Sequence, residues 1–176
     1  MNNLIDKNQG MATLKSKYNT FEKRMYIFGA ITLVLAVIFL IAVPFASAGG
    51  EKITFGDVSD LAKLTTLKSS ITSALTMHTV LWIVVAIAAV LTAVSFVKRS
   101  DGILWVKVQA AAAAGTALFS AIMWIMHLMA ATDLVKGGKV AWLWVILFLV
   151  ALVWAAHTAM VILMSKAMDQ LSETAE

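Results

Sequence analysis

The stretch ITSALTMHTVLWIVVAIAAVLTAVSFV, residues 71–97, decides the fold class. It carries no Asp, Glu, Lys or Arg. The hydrocarbon layer of a bilayer is ~30 Å thick, which ~20 helical residues cross at ~1.5 Å each. This run is long enough to cross, and Lys98, Arg99 and a Ser-Asp-Gly turn at 100–102 close it. Three further blocks have the same character: about 25–48, about 103–132 ahead of Asp133 and Gly137-Gly138, and about 140–165 ahead of Lys166. Residues 1–176 therefore read as a single membrane domain, all-α and polytopic, a four-transmembrane-helix bundle with amphipathic helical extensions.

Composition agrees. The chain is 61% hydrophobic and 14% charged, against ~45–50% apolar and ~25% charged in soluble domains. A core of this size cannot absorb that excess, so lipid is the expected solvent. Cysteine is absent, which excludes disulfides, Cys-ligated zinc, iron–sulfur clusters and thiol catalysis. The net charge of +4 is modest and gathers near span ends, so no nucleic-acid partner is expected.

Basic residues set the expected orientation, because cytoplasmic loops carry more Lys and Arg. Lys7, Lys15, Lys17, Lys23 and Arg24 precede the first span; Lys98, Arg99 and Lys107 follow the second; Lys166 follows the fourth. These are nine of the 14 basic residues. Lys52, Lys63, Lys68, Lys136 and Lys139 fall on the other side, among Glu51, Asp57, Asp60 and Asp133. Both termini are expected in the cytoplasm, with the chain multi-pass in the cell membrane (the inner membrane in a bacterium). Trp105, Trp142 and Trp144 lie near span ends, where interfacial indoles are common. Ala46-Ser47-Ala48 has the small-x-small form of a signal-peptidase site. The apolar stretch before it exceeds the ~7–15 residues of a signal h-region, so a span ending in small residues and a Gly-Gly turn is the expectation.

Three helices should outrun the bilayer. In the segment 11–24 and just beyond, Met11, Leu14, Tyr18, Phe21, Met25 and Phe28 alternate spacings of three and four, a single helical seam. Met160 or Val161, Met164, Met168 and Leu171 repeat it after span four. Leu61, Leu64, Lys68, Ile71, Leu75 and His78 extend span two outward as one seam, with Asp57 or Ser59 as its N-cap. The terminal extensions either lie on the membrane surface or pack together or onto a partner. Trp124-x-x-His127 echoes Trp154-x-x-His157, too short a match to indicate duplication.

No Asp or Glu falls inside a span. Intramembrane carboxylates mark coupled transport and proton relays, and di-iron and hydrolytic metal sites need several. There is no phosphate-binding loop, H-E-x-x-H or G-x-S-x-G motif. No acid, base or nucleophile set is nameable, so the chain is not expected to be an enzyme on its own.

The intramembrane histidines are the candidate site. At ~1.5 Å per residue, His78 lies ~10 Å and His127 ~9 Å below the outer edge, on neighbouring spans. The pair suits axial ligation of haem b, or each side chain bonds across helices. His157 lies ~13 Å from the inner edge, near Met160 and Met164. In span three, Gln109, Thr116, Ser120 and His127 fall within ~20° of one line along ~27 Å of helix. Such a stripe must face protein or water. Ala110–Ala114, Gly115, Ala117 and Ala121 beside it permit close approach.

Three functions follow as expectations. The leading one is an accessory, anchor or self-assembling subunit of a larger membrane complex, with the bilayer and other membrane subunits or itself as partners. The second is a haem-binding subunit of a redox or quinone complex using His78 and His127. The third is a small channel or facilitator using the polar path of Gln109, Thr116, Ser120, His127 and His157.

Overall fold

The computed structural model describes residues 2–48, 51–134 and 143–173. Its elements are helix α1 (Asn2–Ala42), strands β1 (Ala46–Ala48) and β2 (Glu51–Ile53), and helices α2 (Phe55–Leu64), α3 (Ser69–Val97), α4 (Ile103–Leu134) and α5 (Leu143–Glu173). α1, α3, α4 and α5 are long and apolar enough to cross a membrane. The chain is a multi-pass α-helical membrane protein. The turns expected at Gly49-Gly50 and Gly137-Gly138, and the interfacial Trp142, lie outside the described residues.

The bundle is apolar around its girth and shelters polar side chains within an otherwise apolar core. Ile27, Val34, Ile41, Ile87, Val90, Leu118, Ile125 and Leu149 are exposed around its girth. Thr32, Ser95, Gln109, Thr116, Ser120, His127 and Thr158 are buried. Water would reverse that distribution; hydrocarbon, which cannot hydrogen-bond, enforces it. Around the bundle α3 packs on α4, α4 on α5, α5 on α1, and α1 more loosely on α3. α1 and α4 are thus diagonal. The core centres on Met25, Leu81, Met123, Trp144, Leu147 and Trp154.

Two boundaries differ from the sequence reading. Span one was expected to reach residue 48, and α1 stops at Ala42. Proline 44 has no N–H to donate to the Leu40 carbonyl and disfavours helix at the residue before it. Phe45, apolar enough to pass for span, instead donates its N–H to Ile53 O at 2.7 Å and opens a hairpin. Its register is Ala46↔Ile53, Ser47↔Lys52 and Ala48↔Glu51. The expected outward seam of span two is likewise broken into α2 and α3. Thr54, rather than Asp57 or Ser59, is the N-cap of α2: its hydroxyl accepts from Asp57 N, and Asp57 Oδ2 accepts from Thr54 N at 2.8 Å. This reciprocal pair is a capping box. Thr65 is extended and ends α2, and Lys68 is extended ahead of α3.

The loops are pinned at both ends of the bundle. At the hairpin end, Asp133 takes a 2.8 Å bond from Lys68 Nζ and another from Ser70. At the opposite, basic end, Ser95 Oγ donates to Trp105 O at 2.9 Å, and Tyr26 Oη meets Ser95 at 3.1 Å. Gly102, at φ +106°, turns the chain from α3 into α4, in backbone territory that side chains rarely enter.

α1 and α5 pass beyond the lipid together. α1 has 41 residues and α5 has 31, about 61 Å and 46 Å at ~1.5 Å per residue. Phe39 meets Trp144 and Phe28 meets His157, which fixes an antiparallel register. Continued outward, it brings Val161, Met164, Met168 and Leu171 alongside Tyr18, Leu14 and Met11. All of these are buried or half-buried, while Lys15, Lys17, Lys23 and Arg24 are exposed. Of the two expectations for these extensions, pairing describes the observed packing.

Candidate functional site

The end of α1 builds the hairpin-end site. Leu40 O would bond the N–H four residues on, and that residue is Pro44. His78, rising from α3, fills the gap with Nε2 at 3.0 Å from Leu40 O. A carbonyl only accepts, so Nε2 carries the proton. The hairpin and α2 then bring two aromatic rings over the bundle. Phe55 stacks on His78 with centroids 3.8 Å apart and packs against His127 at 5.8 Å. Phe45 packs on Phe55 at 5.0 Å and on His127 at 5.3 Å. Trp144 of α5 approaches His127 at 6.0 Å. His78 and His127 therefore share one level and one aromatic cluster, as the depth argument placed them.

Beside His78 lies a pocket of about 410 Å³, bounded by the last turn of α1, Pro44, Lys52, Thr54 and Phe55. It is the cleft between α1 and the hairpin.

The two candidate haem ligands, His78 and His127, both lie against Phe55. His78 Nε2 is also engaged by Leu40. Among the described residues no group of three or more His, Asp or Glu is placed to hold a metal ion.

Below this cluster runs the line on α4. Gln109, Thr116, Ser120 and His127 are all fully buried, so the stripe faces protein along its whole length. Their bonding differs. Thr116 Oγ1 donates to Ala112 O of its own helix at 2.8 Å, and Gln109 Nε2 reaches Thr92 O of α3 at 3.4 Å. Gln109 Oε1, Ser120 Oγ and both His127 nitrogens have no protein hydrogen-bond partner. The Phe45 main chain approaches the His127 ring, short of hydrogen-bond geometry. Two buried indole N–H groups on the adjoining α5, those of Trp144 and Trp154, are unpartnered as well. Desolvating one such group costs ~1–3 kcal/mol, so this line is an expensive feature of the bundle.

His157 stands apart. Its Nδ1 lies 2.8 Å from Val153 O of its own helix, and its ring packs between Phe28 at 4.7 Å and Phe21 at 5.6 Å on α1. It belongs to the α1–α5 seam, away from the α4 line with which it was grouped.

Sequence reasoning missed the aromatic plug of Phe45 and Phe55. Thr54-x-x-Asp57 carried a signal for it: a capping box there starts α2 at Phe55 and sets that ring in the first turn. It also missed the buried indole N–H groups of Trp144, expected at the interface from its place near a span end, and of Trp154.

No family model, curated protein or solved structure matches the chain.

Proposed function

We propose that the chain is an assembly subunit of a larger membrane complex, with no catalytic step of its own. One observation carries this reading: α1 and α5 leave the bundle as a paired antiparallel stalk whose seam is covered and whose α1 face is basic, with Lys15, Lys17, Lys23 and Arg24 exposed. Ordering that much helix outside lipid costs conformational entropy, and a rigid charged projection is suited to meeting a partner beyond the headgroups. The Lys and Arg excess at that end supports a cytoplasmic stalk, with both termini on the same side.

The test is isolation from native membrane in mild detergent. A stoichiometric partner, or a defined homo-oligomer, is the expected result. Leu14→Glu combined with Met168→Glu should split the stalk and release the partner while the bundle stays folded. A lone monomer of 19.0 kDa would overturn the proposal.

A second reading has its own support in the unpartnered atoms of Gln109, Ser120, His127, Trp144 and Trp154. Ordered water bridging them would make the α4 line a file for protons or a small solute, stoppered by Phe45 and Phe55. Proteoliposome flux that falls with Ser120→Leu and rises with Phe55→Ala is expected on this reading. Flux indifferent to both removes it.

A further inference from the structure

The α1–α3 seam is the loosest contact in the bundle, and it is closed at both ends. At the basic end Tyr26 Oη holds Ser95 at 3.1 Å. At the hairpin end His78 holds Leu40 O at 3.0 Å. Between these clasps Ala30 of α1 and Ala89 and Ala93 of α3 are too small to fill the space. They leave a groove of about 490 Å³, walled by Ile27, Leu33 and Val34 and almost wholly apolar. From Tyr26 to Val34 it covers ~12 Å along the helix axis. It opens on the exposed side of the bundle, which faces hydrocarbon.

The groove has a polar mouth. A second cleft of about 240 Å³ shares Tyr26, Ile27 and Phe96 with it and adds Glu22, Lys23 and Arg99. The Arg99 guanidinium is parked 4.9 Å over the Phe96 ring. Glu22 offsets one of the two cations, leaving one positive charge in surplus. Lys98 and Asp101 nearby are paired with each other at 3.3 Å.

We propose that this seam seats one anionic glycerophospholipid, an acyl chain lying along Ala30, Ala89 and Ala93 and its phosphate held by Lys23 and Arg99. The chemistry at each end matches one part of that molecule. The concavity takes a flexible apolar chain, and the guanidinium offers a planar fork to phosphate oxygens. Basic residues at the headgroup level favour an anionic lipid over a zwitterionic one. The wedge would fill the seam that side chains leave open, so the lipid is a structural part of the α1–α3 contact.

The test is native mass spectrometry of the full chain after equilibration in vesicles of phosphatidylcholine with a minority of phosphatidylglycerol. The wild type should retain one phosphatidylglycerol out of proportion to its abundance. Lys23→Gln and Arg99→Gln should each lower that retention roughly fivefold. Ala30→Leu with Ala93→Leu, substitutions at a lipid-facing groove that leave the buried core untouched, should abolish retention of either lipid. Retention of the two lipids in proportion to the vesicle composition overturns the proposal. So does retention of phosphatidylglycerol by the double leucine variant, or by Arg99→Gln, at the wild-type level.

Discussion

At His78 three local facts meet: a proline that cannot donate, a carbonyl left open by it, and a ring nitrogen that closes the gap. His78→Ala should therefore expose Leu40 O inside the bundle and cost ~1–3 kcal/mol, read as a lower unfolding midpoint in micelles. His157→Ala should cost less, because Val153 O is also within reach of its own helix's amides. Gly29 supplies a second residue-scale case. A methyl placed there would sit 3.0 Å from Trp154 Cε2 and 3.1 Å from Nε1, and the buried indole has little room to retreat. Gly29→Leu is expected to destabilise by ~1–3 kcal/mol through overpacking, by the same assay. Phe55→Ala should uncover the two imidazoles beside it, and faster chemical modification of His78 would report that. The level shared by His78 and His127 was legible from counting residues inward from the span ends. The bonds of each ring were not, because they depend on where α1 stops, and Phe45 to Ala48 continue the apolar pattern past the break.

At the scale of elements, α2 depends on the Thr54–Asp57 box. The bonds from Thr54 hold the Asp57 carboxyl below its ordinary value. A group with a depressed folded value stabilises its element above the unfolded pKa and loses that contribution as pH falls through the folded one. The first turn of α2 should therefore loosen only in acid below the ordinary carboxylate range, seen as faster amide exchange at Val58. Asp57→Asn should flatten that pH response. The turn between α3 and α4 makes a different demand. Gly102→Ala puts a β-carbon at φ +106°, and should cost ~1–3 kcal/mol of strain. The long helices were readable from composition because nothing but a membrane span accounts for runs such as 71–97. The hairpin and α2 were not, since six strand residues and a ten-residue helix lie below what periodicity resolves. A seam through Leu61, Leu64 and Lys68 reads as continuous until Thr65 is seen to be extended.

Across the whole molecule the inverted distribution of polarity governs behaviour. Four crossings would put both ends of the chain on one side, and the proposal that this side is cytoplasmic rests on its excess of Lys and Arg. The absence of cysteine makes this easy to check with single thiols. Asn19→Cys and Ser172→Cys should react only from the cytoplasmic side, and Asp60→Cys only from the other. Burial of the Gln109–His127 line was predictable from the stripe itself, since four aligned polar side chains cannot face lipid. Its unpaired state was not, because that depends on which side chains the neighbouring helices set against it, such as the Trp144 ring beside His127.

The diagonal placement of α1 and α4 also bears on how the protein is made. α3 with α4, and α4 with α5, are neighbours along the chain and can dock as they leave the ribosome. α1 has its main partner in α5, about 100 residues later. At ~5–20 residues per second that separation is a delay of ~5–20 s. During it α1 waits in the bilayer with Gly29, Thr32 and Ala36 turned to lipid and its stalk unpaired. α1 is made before α3, α4 and α5 yet is the last of the four to be locked, and a ribosome stalled before Leu143 leaves that helix open to capture by a chaperone, a protease or the wrong neighbour.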